Sequence, residues 1–287
     1  MSLTLFYAPG FAAPIGKHIM PIRKFGLVAD ELSGVPGIEI REPEPVSPED
    51  VQRVHTPEYL AAVQTGEPRA LAESQKFPWS PALYPSVLLT SGGVVAAARE
   101  ALKHGVSGAL ASGFHHSCAD HGEGFCTFNG LVVALEKLRA EGAIRTAAAL
   151  DLDLHYGNGT ASLAATRPWL RALSLYGNDY AANVAYRDVT QRHHEDGPNH
   201  FSVPLVPGEN DGANLLALLD KHLGWLLEDG PPDLLLFQAG ADPYREDPSS
   251  PLDRDHDDLF QRDRKVFAFA KQHGICLLYT SPSPRDS

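Results

Sequence analysis

A single α/β domain, an open and mostly parallel sheet with helices on both faces, is the fold class that this 287-residue sequence predicts. Three observations lead to it. Short apolar segments alternate with amphipathic stretches along the whole chain, the rhythm of strands joined by crossover helices. Several of those segments, DLLLFQ above all, are almost continuously apolar, which suits strands buried on both faces. No repeat or low-complexity linker divides the pattern, and the length is enough for one substantial core.

The elements follow in order. Strands are expected at residues 3–7, 38–41, 107–112, 146–155, 172–176, 201–206 and 233–239. Helical periodicity occupies residues 87–103, 131–141, 213–227 and 257–273 between and after them. Sheets of this kind bind ligands in the crevice beyond the carboxyl ends of their strands, so the residues standing at those ends matter most.

Composition narrows the function classes. With 43% hydrophobic and 21% charged residues the chain reads as an ordinary globular protein. No apolar run approaches membrane-spanning length, and MSLTLFYAPG lacks the charged start and long apolar core of a signal peptide. Cys118, Cys126 and Cys276 form no CxxC pair, which argues against a disulfide framework and against a thiolate zinc site. A cytoplasmic location is the expectation. The formal charge of −12 argues against nucleic acid as a partner and favours cationic ligands.

Three strand ends carry ionisable groups. The stretch ALDLDLHYGNGT, residues 149–160, places Asp151, Asp153 and His155 at alternate positions, on one face of an extended strand. Unpaired carboxylates are costly to bury, so a cation or a partner histidine is expected beside them. In GALASGFHHSCADHGEGFC, residues 108–126, a small-residue strand runs into the adjacent His115 and His116. In LLLFQAGADPYREDP, residues 234–248, an apolar strand ends at Gly240 and Asp242. Asp153, His155 and Asp242 together offer one nitrogen and two oxygens, a donor set that suits zinc with room for water. His115 and His116 would then be available for proton transfer.

In these motifs the chain resembles the zinc-dependent histone deacetylase superfamily, with its bacterial deacetylase-like amidohydrolases and acetylpolyamine hydrolases. GFHHSCADHGEGFC, DLDLHYGNGT and QAGADPYREDP occur in the family's order, and VHTPEYLAAVQTG and FPWSPALY match as well. GFHH with GEGFC leans towards the class IV branch. The resemblance implies an arginase/deacetylase-like three-layer fold and one Zn2+ per chain on Asp153, His155 and Asp242. It implies His116 as general base, His115 as its partner near the leaving amine, Asp151 holding His115, and Asn158 holding His116. Phe125 and Gly124 would line a tunnel for an acylated lysine or polyamine. A K+ ion near Asp151, Ser174 and Leu175 is also a family feature. The implied reaction is removal of an acyl group, acetyl in the first instance, by metal-activated water.

One family feature is missing. Members complete the site with a Gly-Gly-Tyr loop after the last core strand, whereas here HGI is followed by ICLLYTSPSPRDS. The catalytic domain is therefore expected to span residues 1–275, truncated before that loop, with 276–287 a non-native or disordered tail. Tyr279 falls too early to replace the missing tyrosine, and Arg285 lies nearest its place. Loss of one such hydrogen-bond donor costs about 10²–10³ in rate, so reduced activity is expected.

Other features are weighed against blander readings. QRHHED at 191–196 reads as a solvated loop rather than a second metal site, and Tyr180 is a candidate second aromatic wall. Cys118 and Cys126 read as packed rather than reactive. Two rival functions remain open, a two-manganese ureohydrolase and a non-catalytic binder of zinc or acyl-lysine.

Overall fold

The computed structural model describes residues 2–16, 18, 20–181, 184–186, 192–206 and 211–280. Ten strands and nine helices are placed among them. The strands are β1 (Leu3–Phe6), β2 (Ile38–Arg41), β3 (Val106–Ala109), β4 (Ala147–Asp151), β5 (Leu170–Tyr176), β6 (Asp179–Ala181), β7 (Val184–Tyr186), β8 (His200–Pro204), β9 (Leu234–Gln238) and β10 (Cys276–Thr280). The helices are α1 (Lys24–Leu32), α2 (Pro48–Gln52), α3 (Pro57–Thr65), α4 (Arg69–Ala72), α5 (Leu83–His104), α6 (Gly130–Ala140), α7 (Asn158–Ala164), α8 (Asp211–His222) and α9 (His256–Gln272).

Eight strands form one sheet in the order β2-β1-β3-β10-β9-β4-β5-β8, and every pair in it is parallel. β6 and β7 make a separate antiparallel ribbon. The burial of the central strands explains their continuous apolar runs. In β9, Leu234 and Leu236 pack with α5 and α6, whereas Leu235 and Phe237 pack with α8 and α9. In β4, Ala147 and Ala149 join the first layer and Ala148 and Leu150 the second. Each strand thus feeds two cores through the two-residue period of its side chains. The outcome is the single-domain three-layer α/β sheet expected from the sequence.

Two boundaries differ from expectation. The strand expected at 146–155 ends at Asp151, for a reason given below. Residues 276–280, assigned from sequence to a tail, instead form β10 in the middle of the sheet, between β3 and β9. Leu277 and Leu278 are buried on opposite faces there, because a run of apolar residues beside β9 can fill both cores. Residues 281–287, Arg285 among them, lie outside the described residues. No helix among the described residues is long and apolar enough to cross a membrane.

Because the sheet is parallel, β3, β4 and β9 all end at the same edge. The loops that follow them carry His115 and His116, Asp153 and His155, and Asp242.

Candidate metal centre and active site

The strand end at Asp151 shows why the acids are where they are. Leu152 still donates its backbone N–H to Gln238 O at 2.9 Å, the last bond of the β4–β9 ladder. After it, side-chain carboxylates take over the backbone donors. Asp151 Oδ1 accepts from the Asp153 N–H at 3.1 Å, Asp153 Oδ1 from the His155 N–H at 2.9 Å, and Asp242 Oδ1 from the Leu154 N–H at 2.9 Å. An aspartate bonding the backbone two residues on is the usual competitor of regular structure. The ladder therefore stops, but the alternation survives. Leu152 and Leu154 stay packed against the α8 and α9 layer, opposite Asp153 and His155.

Two devices bring the strand ends of β4 and β9 together. Gly240 lies so close that a Cβ there would sit 2.6 Å from both Asp153 Cα and Asp153 Oδ2, and 2.7 Å from Asp242 Oδ1. Arg262 of α9, only 2% exposed, donates from Nη1 to Gly240 O at 2.6 Å and to Leu152 O at 3.3 Å. One guanidinium thus ties both strand ends from beneath.

Asp153, His155 and Asp242 are all buried, and one donor atom from each lies within 4.8 Å of the others. His155 Nδ1 stands 2.9 Å from Asp242 Oδ2 and 3.2 Å from Asp153 Oδ1. Asp153 Oδ2 is buried without a hydrogen-bond partner, a state that costs free energy unless a cation is present to receive it. Two carboxylates and one imidazole at this separation fit a divalent metal ion. Asp153, His155 and Asp242 make up the one such cluster among the described residues.

His115 and His116 are 4% and 3% exposed, with ring centroids 4.0 Å apart. His115 Nδ1 donates to Asp151 Oδ2 at 2.7 Å, and its Nε2 faces Asp153 Oδ1 at 3.8 Å. His116 Nδ1 donates to Asn158 Oδ1 at 2.6 Å. The two rings line one cavity with Asp153, His155, Gly124 and Phe125. The loop that carries them departs from common backbone geometry at both ends, since Phe114 and Phe125 have φ of 58° and 65°. Gly124, at φ 49°, lies against the His116 ring, where a Cβ would meet Cδ2 at 2.3 Å.

These partners separate the two histidines. Burial opposes charge on His115, but Asp151 and Asp153 outweigh it and raise its pKa to about 9. Burial and then the neighbouring His115 and His155 push His116 well below the ordinary imidazole value. His155 is raised to about 9 against burial by its two carboxylates. Burial likewise opposes charge on Asp153, yet His115 and His155 hold its carboxyl far below the usual range, whereas burial raises Asp151. The two adjacent histidines are thus pushed in opposite directions, His115 up and His116 down.

A family model described as the histone deacetylase domain matches residues 18–281. The chain belongs to the histone deacetylase family. An uncharacterised protein of Picosynechococcus sp. is 29% identical over 93% of this chain and 87% of its own length. A histone deacetylase-like amidohydrolase of Pseudomonas aeruginosa is 28% identical over 90% of this chain and 73% of its own. Acetylpolyamine amidohydrolase 1 of the same organism is 29% identical over 62% of this chain and 52% of its own length. The crystal structure of the HDA15 HD domain superposes with a TM-score of 0.79 at 20% identity, over the full chain here and 85% of that one.

Asp153, His155, Asp242, His115, His116, Asp151, Asn158, Phe125 and Gly124, singled out from sequence, all lie in or against this one site. Ser174 stands opposite Asp151 in the β4–β5 ladder, and Leu175 follows it in the core. Tyr279 is not at the cavity; its ring packs against Phe237 and Phe267 on the α9 side. Burial raises Cys118 to about 11 and raises Cys126 as well, which fits packing rather than reactivity. The loop at 191–196 corrects the solvated reading in part. His193 is exposed, but His194 stacks on Tyr156 at 3.7 Å and bonds Asp179 Oδ1 at 3.1 Å, because a buried carboxylate and two tyrosines receive it. The side chain of Tyr180 lies outside the described residues.

Sequence reading missed Met20, Ser112 and Gln238, which also line the cavity, and Glu123, which bonds Asn158. Met20 and Ser112 carry no signal of their own. Gln238 was visible as a polar residue ending an apolar strand, and Glu123 as an acid between two glycines.

Proposed function

We propose that this protein is a zinc-dependent amidohydrolase that removes an acyl group, acetyl in the first instance, from a lysine or polyamine amine. The observation that carries the reading is the buried cluster of Asp153, His155 and Asp242 beside a cavity lined by His115 and His116. A divalent ion on those three ligands would polarise an acyl carbonyl and acidify water at neutral pH. The relatives named as deacetylase-like and acetylpolyamine amidohydrolases support the same class of reaction and substrate.

The chain's own residues divide the remaining work. His116, kept neutral, accepts the proton of the attacking water, and its bond to Asn158 aims the ring. His115, held protonated by Asp151, delivers a proton to the departing amine. Groups whose surroundings separate their pKa values in this way are suited to acid and base roles. Phe125, with Gly124 beside it, forms the wall along which an acyl-lysine or acyl-polyamine chain lies. A monovalent cation near Asp151, Ser174 and Leu175 belongs to this reading. So does reduced turnover, as expected from TSPSPRDS standing where the family has its Gly-Gly-Tyr loop.

Metal content measured by mass spectrometry, beside hydrolysis of an acetyl-lysine peptide and of an acetylated diamine, tests the reading. Expected are one zinc per chain, its loss in Asp242→Ala, and weak turnover that disappears in His116→Ala. Zinc without turnover of either substrate would favour a non-catalytic acyl-amine binder. Two metals per chain, or a preference for manganese, would overturn the zinc assignment.

A further inference from the structure

Glu123 lies in the loop between His116 and Phe125, 7% exposed, yet it does not line the cavity. Its Oε2 accepts from Asn158 Nδ2 at 2.6 Å, and the other end of that amide, Oδ1, accepts from His116 Nδ1 at 2.6 Å. Its Oε1 faces His121 Nε2 at 3.3 Å, and His121 in turn bonds Asp120 at 2.6 Å. A line of contacts therefore leads from the exposed Asp120 to the buried His116.

Each link restricts the next. The two ends of an asparagine amide have nearly the same shape, so packing alone does not decide which one faces His116. A carboxylate oxygen takes the NH2 end of the amide, as Glu123 Oε2 does. The carbonyl end must then face His116, whose Nδ1 must carry the hydrogen. The lone pair is left on Nε2.

We propose that Glu123 is a positioning residue that sets the tautomer of His116 through the orientation of the Asn158 amide. The reading of His116 as the proton acceptor in hydrolysis underlies its functional meaning, but the tautomer itself is a property of the protein without substrate. Glu123 touches no reacting atom. Its contribution is to keep one nitrogen of His116 available as an acceptor, the kind of outer hydrogen bond that fixes an imidazole elsewhere in hydrolytic sites.

The test is long-range proton–nitrogen NMR on the full chain with labelled histidine, His116 being identified by the signal that vanishes in His116→Gln. Wild type is expected to show hydrogen on Nδ1. Glu123→Gln, which still offers an oxygen to Asn158, is expected to retain it, whereas Glu123→Leu mixes the two tautomers. Where acetyl-lysine turnover is measurable, Glu123→Leu should lower kcat about tenfold with KM little changed, and Glu123→Gln should restore most of it. A wild-type His116 protonated on Nε2 overturns the proposal, and so does a folded Glu123→Leu that keeps the wild-type pattern. If the leucine variant does not fold, Glu123→Ala is read in its place by the same criteria. A tautomer change in a protein without turnover would leave this inference standing and count against the hydrolase reading alone.

Discussion

Single atoms decide whether this site can work. At Gly124 a methyl group would meet the His116 ring at 2.3 Å, and the positive φ there adds strain for any other residue. Gly124→Ala should displace the imidazole and lower kcat by about 10² while zinc stoichiometry is unchanged, since none of the three ligands is touched. Turnover assays paired with metal analysis check this. His55 supplies a second residue-scale prediction. Its Nε2 accepts from the Asn129 N–H at 3.0 Å, and burial lowers its pKa to about 4. The unfolded chain, with an imidazole near 6.5, binds this proton more readily than the folded one. Stability from this group is therefore complete above about pH 6.5 and is lost as pH falls towards 4, on the order of 3 kcal/mol in all. Denaturant titrations at pH 7 and pH 4.5 should show that loss in wild type and much less of it in His55→Gln.

At the scale of elements, the site depends on how strand ends are brought together. Arg262 belongs to α9, yet its guanidinium holds the carbonyls of Leu152 and Gly240, one from each ligand-bearing loop. Arg262→Leu keeps much of the packing volume but removes both bonds. It should weaken zinc about 10–100-fold, as loss of a supporting hydrogen bond at a metal site does, measurable by competition with a chromophoric chelator. Helix α5 approaches its neighbours just as tightly. A Cβ on Gly92 would lie 1.9 Å from Glu44 O, so Gly92→Ala must push the helix away from the segment after β2. A loss of roughly 1–3 kcal/mol is expected in thermal or denaturant unfolding, with the metal site intact.

The whole molecule places an acidic cluster at the edge of a parallel sheet whose central strands bury mostly apolar residues. Asp153 and Asp242 are both buried, and each places an oxygen within 3.2 Å of His155 Nδ1. On the zinc assignment proposed above, binding of the ion should stabilise the fold itself. At a free concentration one hundred times its Kd the gain is about 2.7 kcal/mol, visible as a rise in Tm that a chelator reverses and that Asp242→Ala does not show.

Much of this was legible along the chain. Alternation of apolar segments with helical periodicity announced the sheet, because both are local consequences of covering a core. Motif order announced the residues that meet as the Asp153, His155 and Asp242 cluster, the paired histidines and the groups that bond them. The end of β4 was less legible. An extended reading to His155 follows from the spacing of Asp151, Asp153 and His155, but their carboxylates capture the backbone donors that a strand would need. The place of Cys276–Thr280 was misjudged for a related reason. Five residues beside an unfamiliar terminus carry little local signal, and only pairing with β3 and β9 makes them a central strand.

What the sequence determined by itself was the architecture and the identity of the chemical groups at three strand ends, since periodicity and residue type are written locally. Only the tertiary structure decided which side chains meet. Arg262 comes to the site from α9 and Met20 from near the N-terminus, and the hydrogen bonds that Arg262 and Glu123 make there depend on distances that chain spacing does not encode. The separation of His115 from His116 was decided there as well. Adjacent and chemically identical, they differ because one faces Asp151 and the other the amide of Asn158.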